Sequence, residues 1–218
     1  MQKGSDPRTA LVLAHTTVAT PRLCPGIRLH LITSDLPLWR ANQAQVDATG
    51  LEDPFWAFCW PGGHALAYHL LQHPELVHGK RVLAFGAGGG VEAIAAAQCG
   101  ADVLASDTDP VAVAALALNA ALNGVSIPTT TEDLLGSEEG PWDVVLAGDV
   151  TYEREMARSM RSWLTRLARR GVMVLVADPR RGFLETEGWV EVACYETPAD
   201  DDSDGTRRVP TPVFSIPR

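Results

Sequence analysis

The sequence predicts a three-layer α/β domain, in which a mostly parallel sheet lies between helices and the chain closes with a C-terminal antiparallel hairpin. Three observations carry that prediction. Apolar runs of strand length, among them residues 82–85, 142–147 and 171–177, alternate with longer segments whose apolar residues recur at helical spacing. Between the first run and the alanine-rich segment after it stand Gly86, Gly88, Gly89 and Gly90, a tight turn of the kind that brings backbone close to a ligand between a parallel strand and a helix. Near the C-terminus, WVEVACYE and RRVPTPVFSI read as two strands around a polar acidic loop, which predicts a hairpin with one strand antiparallel at the sheet edge.

Length and composition bound the function. A chain of 218 residues suits one domain with a real core, and 46% hydrophobic with 21% charged residues is ordinary for a soluble globular protein. No apolar stretch reaches transmembrane length and the N-terminus lacks a secretory pattern, so the expectation is a cytoplasmic protein with no membrane partner. Cys24, Cys59, Cys99 and Cys194 are far apart and read as buried, reduced thiols. The net charge of −9 disfavours nucleic acid, whose phosphates need clustered Lys and Arg.

Along the chain, residues 1–53 read as an N-terminal extension packed on the core, with a short helix over 9–17 and a half-exposed strand over 27–33, IRLHLIT. Residues 53–63, DPFWAFCWPGG, crowd Phe55, Trp56, Phe58 and Trp60 together, either as an aromatic plug under the sheet or as a wall for a flat or cationic ligand. An amphipathic helix follows over 63–76 with Leu66, Leu70 and Leu71 on one face. Its His64, His69 and His73 read as solvated, since no Cys or carboxylate completes a metal set, and no metal is expected.

The glycine turn misses the G-x-G-x-x-G spacing for pyrophosphate, yet the helix N-terminus after it offers N–H groups to polar atoms, so a nucleotide-like ligand is implied. The next strand, over 101–106, ends at Asp107, placed about 20 residues on to accept from ribose hydroxyls. Asp109 before Pro110 signals a helix start, and Asn123-Gly124 its end. After a weak strand over 126–131, Asp133 either meets an adenine amino group or lies in a surface turn. Strand 142–147 is terminated by Gly148 and Asp149, at the carboxyl edge where open α/β sheets bind ligands, with Tyr152 three residues on. The helix over 155–170 turns Met156, Met160, Trp163, Leu164 and Leu167 inward and a solvated basic face outward. The aspartates from Asp200 to Asp204 read as a solvated loop, since they lack a Ca²⁺-loop pattern.

This order of elements, with G-x-G-x-G and an acidic ribose binder, resembles the Rossmann-like seven-strand class of S-adenosylmethionine-dependent methyltransferases nearly end to end. More narrowly, IRLHLIT, DPFWAFCWPGGHALAYHLL, GKRVLAFGAGGG, DTDPVAVAALALNAALNG, GDVTYE and VADPRRGF resemble the electron-transfer flavoprotein β-subunit lysine methyltransferase family. The WPGG stretch and the D-x-x-Y after the fourth strand are its more specific marks. The resemblance implies S-adenosyl-L-methionine as cofactor, a methyltransferase domain over 54–218, and a protein substrate presenting a lysine. It sets Gly86, Ala87 and Gly88 against the cofactor, Asp107 on its ribose, and Trp60 and Gly148 along the pocket. Asp149 and Tyr152 correspond to the catalytic rim, where Asp149 attracts and orients the ammonium and Tyr152 narrows the channel. The family pattern carries an acidic residue where Ala84 stands, near the amino end of the methionine moiety, so that contact is lost here or supplied elsewhere. A nicotinamide-type small-molecule N-methyltransferase and a non-catalytic binding module share this sheet and stay open, as does the oligomeric state.

Overall fold

Asp6 starts the first helix, α1 (Pro7–His15), by accepting from the Arg8 N–H at 2.9 Å, and Pro7 fills a position where no N–H is needed. The structure is a computed structural model that describes residues 6–41, 43–50, 53–138, 140–199 and 206–218. After α1, β1 (Thr17–Ala19) and β2 (Leu29–Leu31) pair antiparallel as a small sheet of their own, so the strand expected over 27–33 is shorter. A short helix, α2 (Gln43–Asp47), precedes the aromatic stretch. Pro61 then opens α3 (Pro61–Gln72), which stops short of Leu76 because Pro74 cannot continue it and begins a 3₁₀ turn.

The main sheet follows as β3 (Arg81–Phe85), β4 (Asp102–Ser106), β5 (Thr129–Thr130), β6 (Val144–Gly148), β7 (Met173–Ala177), β8 (Val190–Pro198) and β9 (Arg208–Ser215). Its order is β5-β4-β3-β6-β7-β9-β8, the seven-strand α/β sheet that the sequence predicts. Strands β3 to β7 are parallel, β9 runs antiparallel against β7, and β8 runs antiparallel against β9. The antiparallel strand therefore lies one place in from the edge, which corrects the expectation of an antiparallel edge. Burial explains the swap: Val213 and Phe214 of β9 are buried and take the inner place, whereas Val190, Glu191 and Val192 at the start of β8 are exposed. The weak third strand shrinks from 126–131 to the two residues of β5.

Alternation along the strands sorts the core into two faces. Val82, Ala84, Val103, Ala105, Val144 and Leu146 face α3 together with α4 (Val91–Gln98) and α5 (Pro110–Leu122). Leu83, Phe85, Val145, Ala147 and Val174 face α6 (Arg154–Arg169), which presents Met160, Trp163, Leu164 and Leu167. The outer face of α6 is the solvated basic face expected, with Arg158, Arg166, Arg169 and Arg170 exposed; Arg161 donates to the Glu185 and Glu187 carbonyls, and Arg166 and Arg170 pair with Glu138 at the surface. Val12, Ile32 and Val46 pack with Trp56, Ala112 and Ala115, so the N-terminal residues close over α5.

The chain runs outward from β3 to β4 and β5, then returns to β6 beside β3, which makes the carboxyl ends of β3 and β6 the topological switch point. Of the cysteines, Cys24 is buried, Cys59 and Cys99 are half-buried and Cys194 is exposed on β8, which corrects the uniform burial expected. No helix among the described residues is long and apolar enough to cross a membrane. The loop from Asp200 to Asp204 lies outside the described residues.

Candidate active site

At the switch point the glycine turn leaves β3 through Gly86 with φ +60°, where a Cβ would stand 2.7 Å from Val150 Cγ1, so any side chain there is both strained and obstructed. Asp107, at the end of β4, fastens the turn from the other side. Its Oδ2 accepts from the Gly88 N–H at 2.8 Å and its Oδ1 from the Asp109 N–H at 3.0 Å. Desolvation raises its pKa, although both backbone donors oppose the shift. An ionised carboxylate accepts about four hydrogen bonds, so two positions are left for a ligand. Asp109 caps α5 by accepting from the Val111 N–H at 2.7 Å, as the sequence predicts.

The turn floors a narrow, open-mouthed cleft with a cavity volume of about 40 Å³. Gly86, Ala87, Gly88 and Gly148 line it, and Trp60 and Phe58 form an aromatic side. The aromatic stretch divides: Trp56 is a buried plug, while Phe58 and Trp60 pack at 5.5 Å between ring centroids along the cleft. Gly148 allows α3 to start against β6, because a Cβ there would stand 2.6 Å from the Gly63 nitrogen. Leu29 of β2 and Glu92 of α4 also line it, and sequence reasoning singled out neither.

The turns after β6 and β7 are woven together by charge. Asp149 holds a left-handed φ of 56°, and its N–H donates to the Ala177 carbonyl at 3.0 Å. Its Oδ2 accepts from the Gly62 N–H, and its Oδ1 accepts from Arg181 Nε at 2.9 Å and Nη2 at 2.7 Å. The guanidinium in turn lies 5.6 Å from the centre of the Trp60 ring. A carboxylate so occupied, with its side chain 6% exposed, faces a guanidinium where the sequence predicts a substrate ammonium. Asp178 ties the same two turns, accepting from Thr151 Oγ1 at 2.6 Å and from the Arg181 N–H at 2.9 Å. Tyr152 is 55% exposed, and burial of part of its ring raises the phenol pKa. Asp133 lies on the surface beyond β5, outside the cleft lining, and accepts from the Leu135 N–H.

The histidines of α3 differ from expectation. His64 and His69 are buried, because α3 is packed on several sides at once; only His73 is exposed. His64 Nε2 accepts from the Leu23 N–H at 3.0 Å, and His69 Nδ1 meets the Tyr195 hydroxyl at 2.8 Å. No group of three or more His, Cys, Asp or Glu among the described residues is placed to hold a metal. Asn119 is the positioning residue that the sequence does not mark. Fully buried, it accepts from the His30 N–H at 2.7 Å and donates to the Gly89 carbonyl at 2.8 Å, so it pins the glycine turn to β2.

Comparison with known proteins agrees with the fold. The family model for ribosomal protein L11 methyltransferase (PrmA) matches residues 38–151. The Xenopus laevis protein named electron transfer flavoprotein beta subunit lysine methyltransferase is 43% identical over 175 residues, 79% of this chain and 70% of that protein. The Homo sapiens protein of the same name is 38% identical over 181 residues, 81% of this chain and 68% of that one. Among solved structures, magnesium protoporphyrin IX methyltransferase from Synechocystis PCC 6803 with bound SAM shares the fold, with a TM-score of 0.54 at 20% identity over 81% of this chain and 85% of that one.

Proposed function

The chain belongs to the electron transfer flavoprotein beta subunit lysine methyltransferase family, and on that premise we propose that it methylates the ε-amine of a lysine in a protein substrate, the electron-transfer flavoprotein β-subunit or one like it, from S-adenosylmethionine. The observation that carries the reading is the cleft at the switch point, where backbone of the glycine turn, an aromatic wall and the Glu92 carboxylate of α4 meet, with Asp107 after β4 bonded to the turn at Gly88. That donor set fits a cationic nucleoside: an aromatic side for the charge, and unused acceptor positions on Asp107 for ribose hydroxyls. Gly86, Ala87, Gly88, Gly148 and Trp60 would line its seat, and Asp133 would meet the adenine amino group beyond β5. When bound, S-adenosylmethionine supplies a methyl group on a positively charged sulfur.

The chain's own task is to present a neutral amine in line with that methyl. A free lysine, with a pKa of about 10.4, is protonated at neutral pH and has no lone pair to offer. Partial burial in a narrow channel disfavours the charged form and would lower the amine's pKa. Asp149 is then a positioning residue that holds Arg181 and the start of α3, while Tyr152 narrows the approach at the rim. The amine's proton leaves to water at the open mouth. Residues 1–53 serve as the extension and 54–218 as the methyltransferase domain. The net charge of −9 supports a protein partner over nucleic acid, and we place the reaction in the cytoplasm.

The test is transfer of labelled methyl from S-adenosylmethionine by the purified protein, with the flavoprotein β-subunit, nicotinamide or no acceptor present. The expected result is label in the β-subunit with added methyl mass on a lysine peptide. Label in nicotinamide alone, or in nothing, overturns the reading.

A further inference from the structure

Glu92 stands in the first turn of α4, two residues after Gly90, and lines the cleft with 2% of its surface exposed. No cation and no side-chain donor among the described residues is bonded to its carboxylate, which has only its own backbone N–H in support. The charged groups facing it are Asp149 from the turn after β6 and Asp107 from the end of β4, with the Cys59 thiol also close. Arg181 is spent on Asp149. Desolvation, reinforced by these like charges, pushes the Glu92 pKa up to about 8. At Gly63 of α3 a Cβ would stand 3.1 Å from Glu92 Oε2, so the facing helix leaves the carboxylate its space.

Folding alone gives no reason for this residue. The neighbouring positions of α4 are Val91, Ala93 and Ile94, all buried, and a lone carboxylate among them costs stability unless something pairs with it. The partner must enter the cleft that Glu92 lines. Of the positive groups that the proposed reaction brings, the substrate lysine arrives from the mouth, and a sulfonium carries no N–H or O–H to donate. An α-ammonium carries three donors, which a buried carboxylate needs. Resting on the S-adenosylmethionine reading, we infer that Glu92 receives the α-ammonium of the cofactor's methionine moiety. Ala84 is fully buried in the same core cluster as Val91 and Ile94, so α4 supplies across that packing the negative charge that β3 lacks.

Two ligands that differ only in the amino-acid chain test this: S-adenosylhomocysteine and 5′-methylthioadenosine, titrated calorimetrically into the wild type and Glu92→Gln. The wild type is expected to prefer S-adenosylhomocysteine by about tenfold or more, and the variant to lose about that factor on this ligand while keeping 5′-methylthioadenosine within about twofold. Retained 5′-methylthioadenosine binding shows that the variant is folded. Binding of S-adenosylhomocysteine at pH 7 should release nearly one proton in the wild type, read from two buffers of different ionisation enthalpy, and none in the variant. Equal affinity of both proteins for S-adenosylhomocysteine, or an equal loss on both ligands, overturns the role of Glu92. A wild type that binds neither ligand overturns the cofactor reading with it.

Discussion

At His64 the fold demands a neutral ring. Its Nε2 must stay unprotonated to accept from Leu23, and burial lowers the pKa from 6.5 to about 4. The sign follows: above pH 6.5 the ring is neutral whether folded or not, and as pH falls toward 4 the unfolded chain takes up the proton first, so stability is lost. The loss attributable to this ring reaches roughly 3 kcal/mol near pH 4. Glu92 and Asp107, with raised pKa values, work oppositely and lose stability as pH rises, so the comparison with a variant is what isolates the histidine. Denaturant melts at pH 7.5 and pH 5 are expected to show a smaller acid loss in H64Q than in the wild type. A second residue-scale expectation concerns Ala84. With Glu92 already serving as the ammonium's partner, A84D adds a second acid to the same packed volume, so S-adenosylhomocysteine affinity should stay within about threefold of wild type while the melting temperature falls. In the sequence, Glu92 is legible only as the charged residue of an apolar helix, VEAIAAAQ. The Asp149–Arg181 pair is not legible at all, because its members stand on different turns, 32 residues apart.

Strand and helix positions were readable because their periods differ, and caps such as Asp109 were readable because short polar side chains bond locally. Helix α3 escaped that reasoning. One-sided amphipathicity assumes one buried face, whereas α3 packs against α4, the sheet and the terminal hairpin together, so its histidines are taken inside. Asn119 escaped for a related reason: a single Asn in an alanine-rich helix says nothing about partners on β2 and the glycine turn. Its removal should be felt at both. N119A leaves the His30 N–H and the Gly89 carbonyl without their partner, at a cost of about 1–3 kcal/mol for each buried group left unpaired. Urea unfolding should register a lower midpoint, and calorimetry a weaker S-adenosylhomocysteine affinity from the loosened turn.

On the scale of the whole molecule, the alternation of apolar runs specified the parallel sheet and its crossing point, while the hairpin's placement was decided by tertiary burial of β9, which no local pattern reports. The N-terminal residues look appended in sequence, yet Ile27, Leu29 and Leu31 belong to the main core and Leu29 lines the cleft. Deleting residues 1–53 is therefore expected to abolish S-adenosylhomocysteine binding, checked by calorimetry, with circular dichroism reporting whether the remaining chain keeps its helices. The bond from His30 to Asn119 spans 89 residues of sequence. Contacts of that span are slow to form, because a long loop must close before anything rewards it. On a growing chain, β2 leaves the ribosome first and waits for α5 to appear, so the bond that pins the glycine turn to β2 forms only after Asn119 has been made.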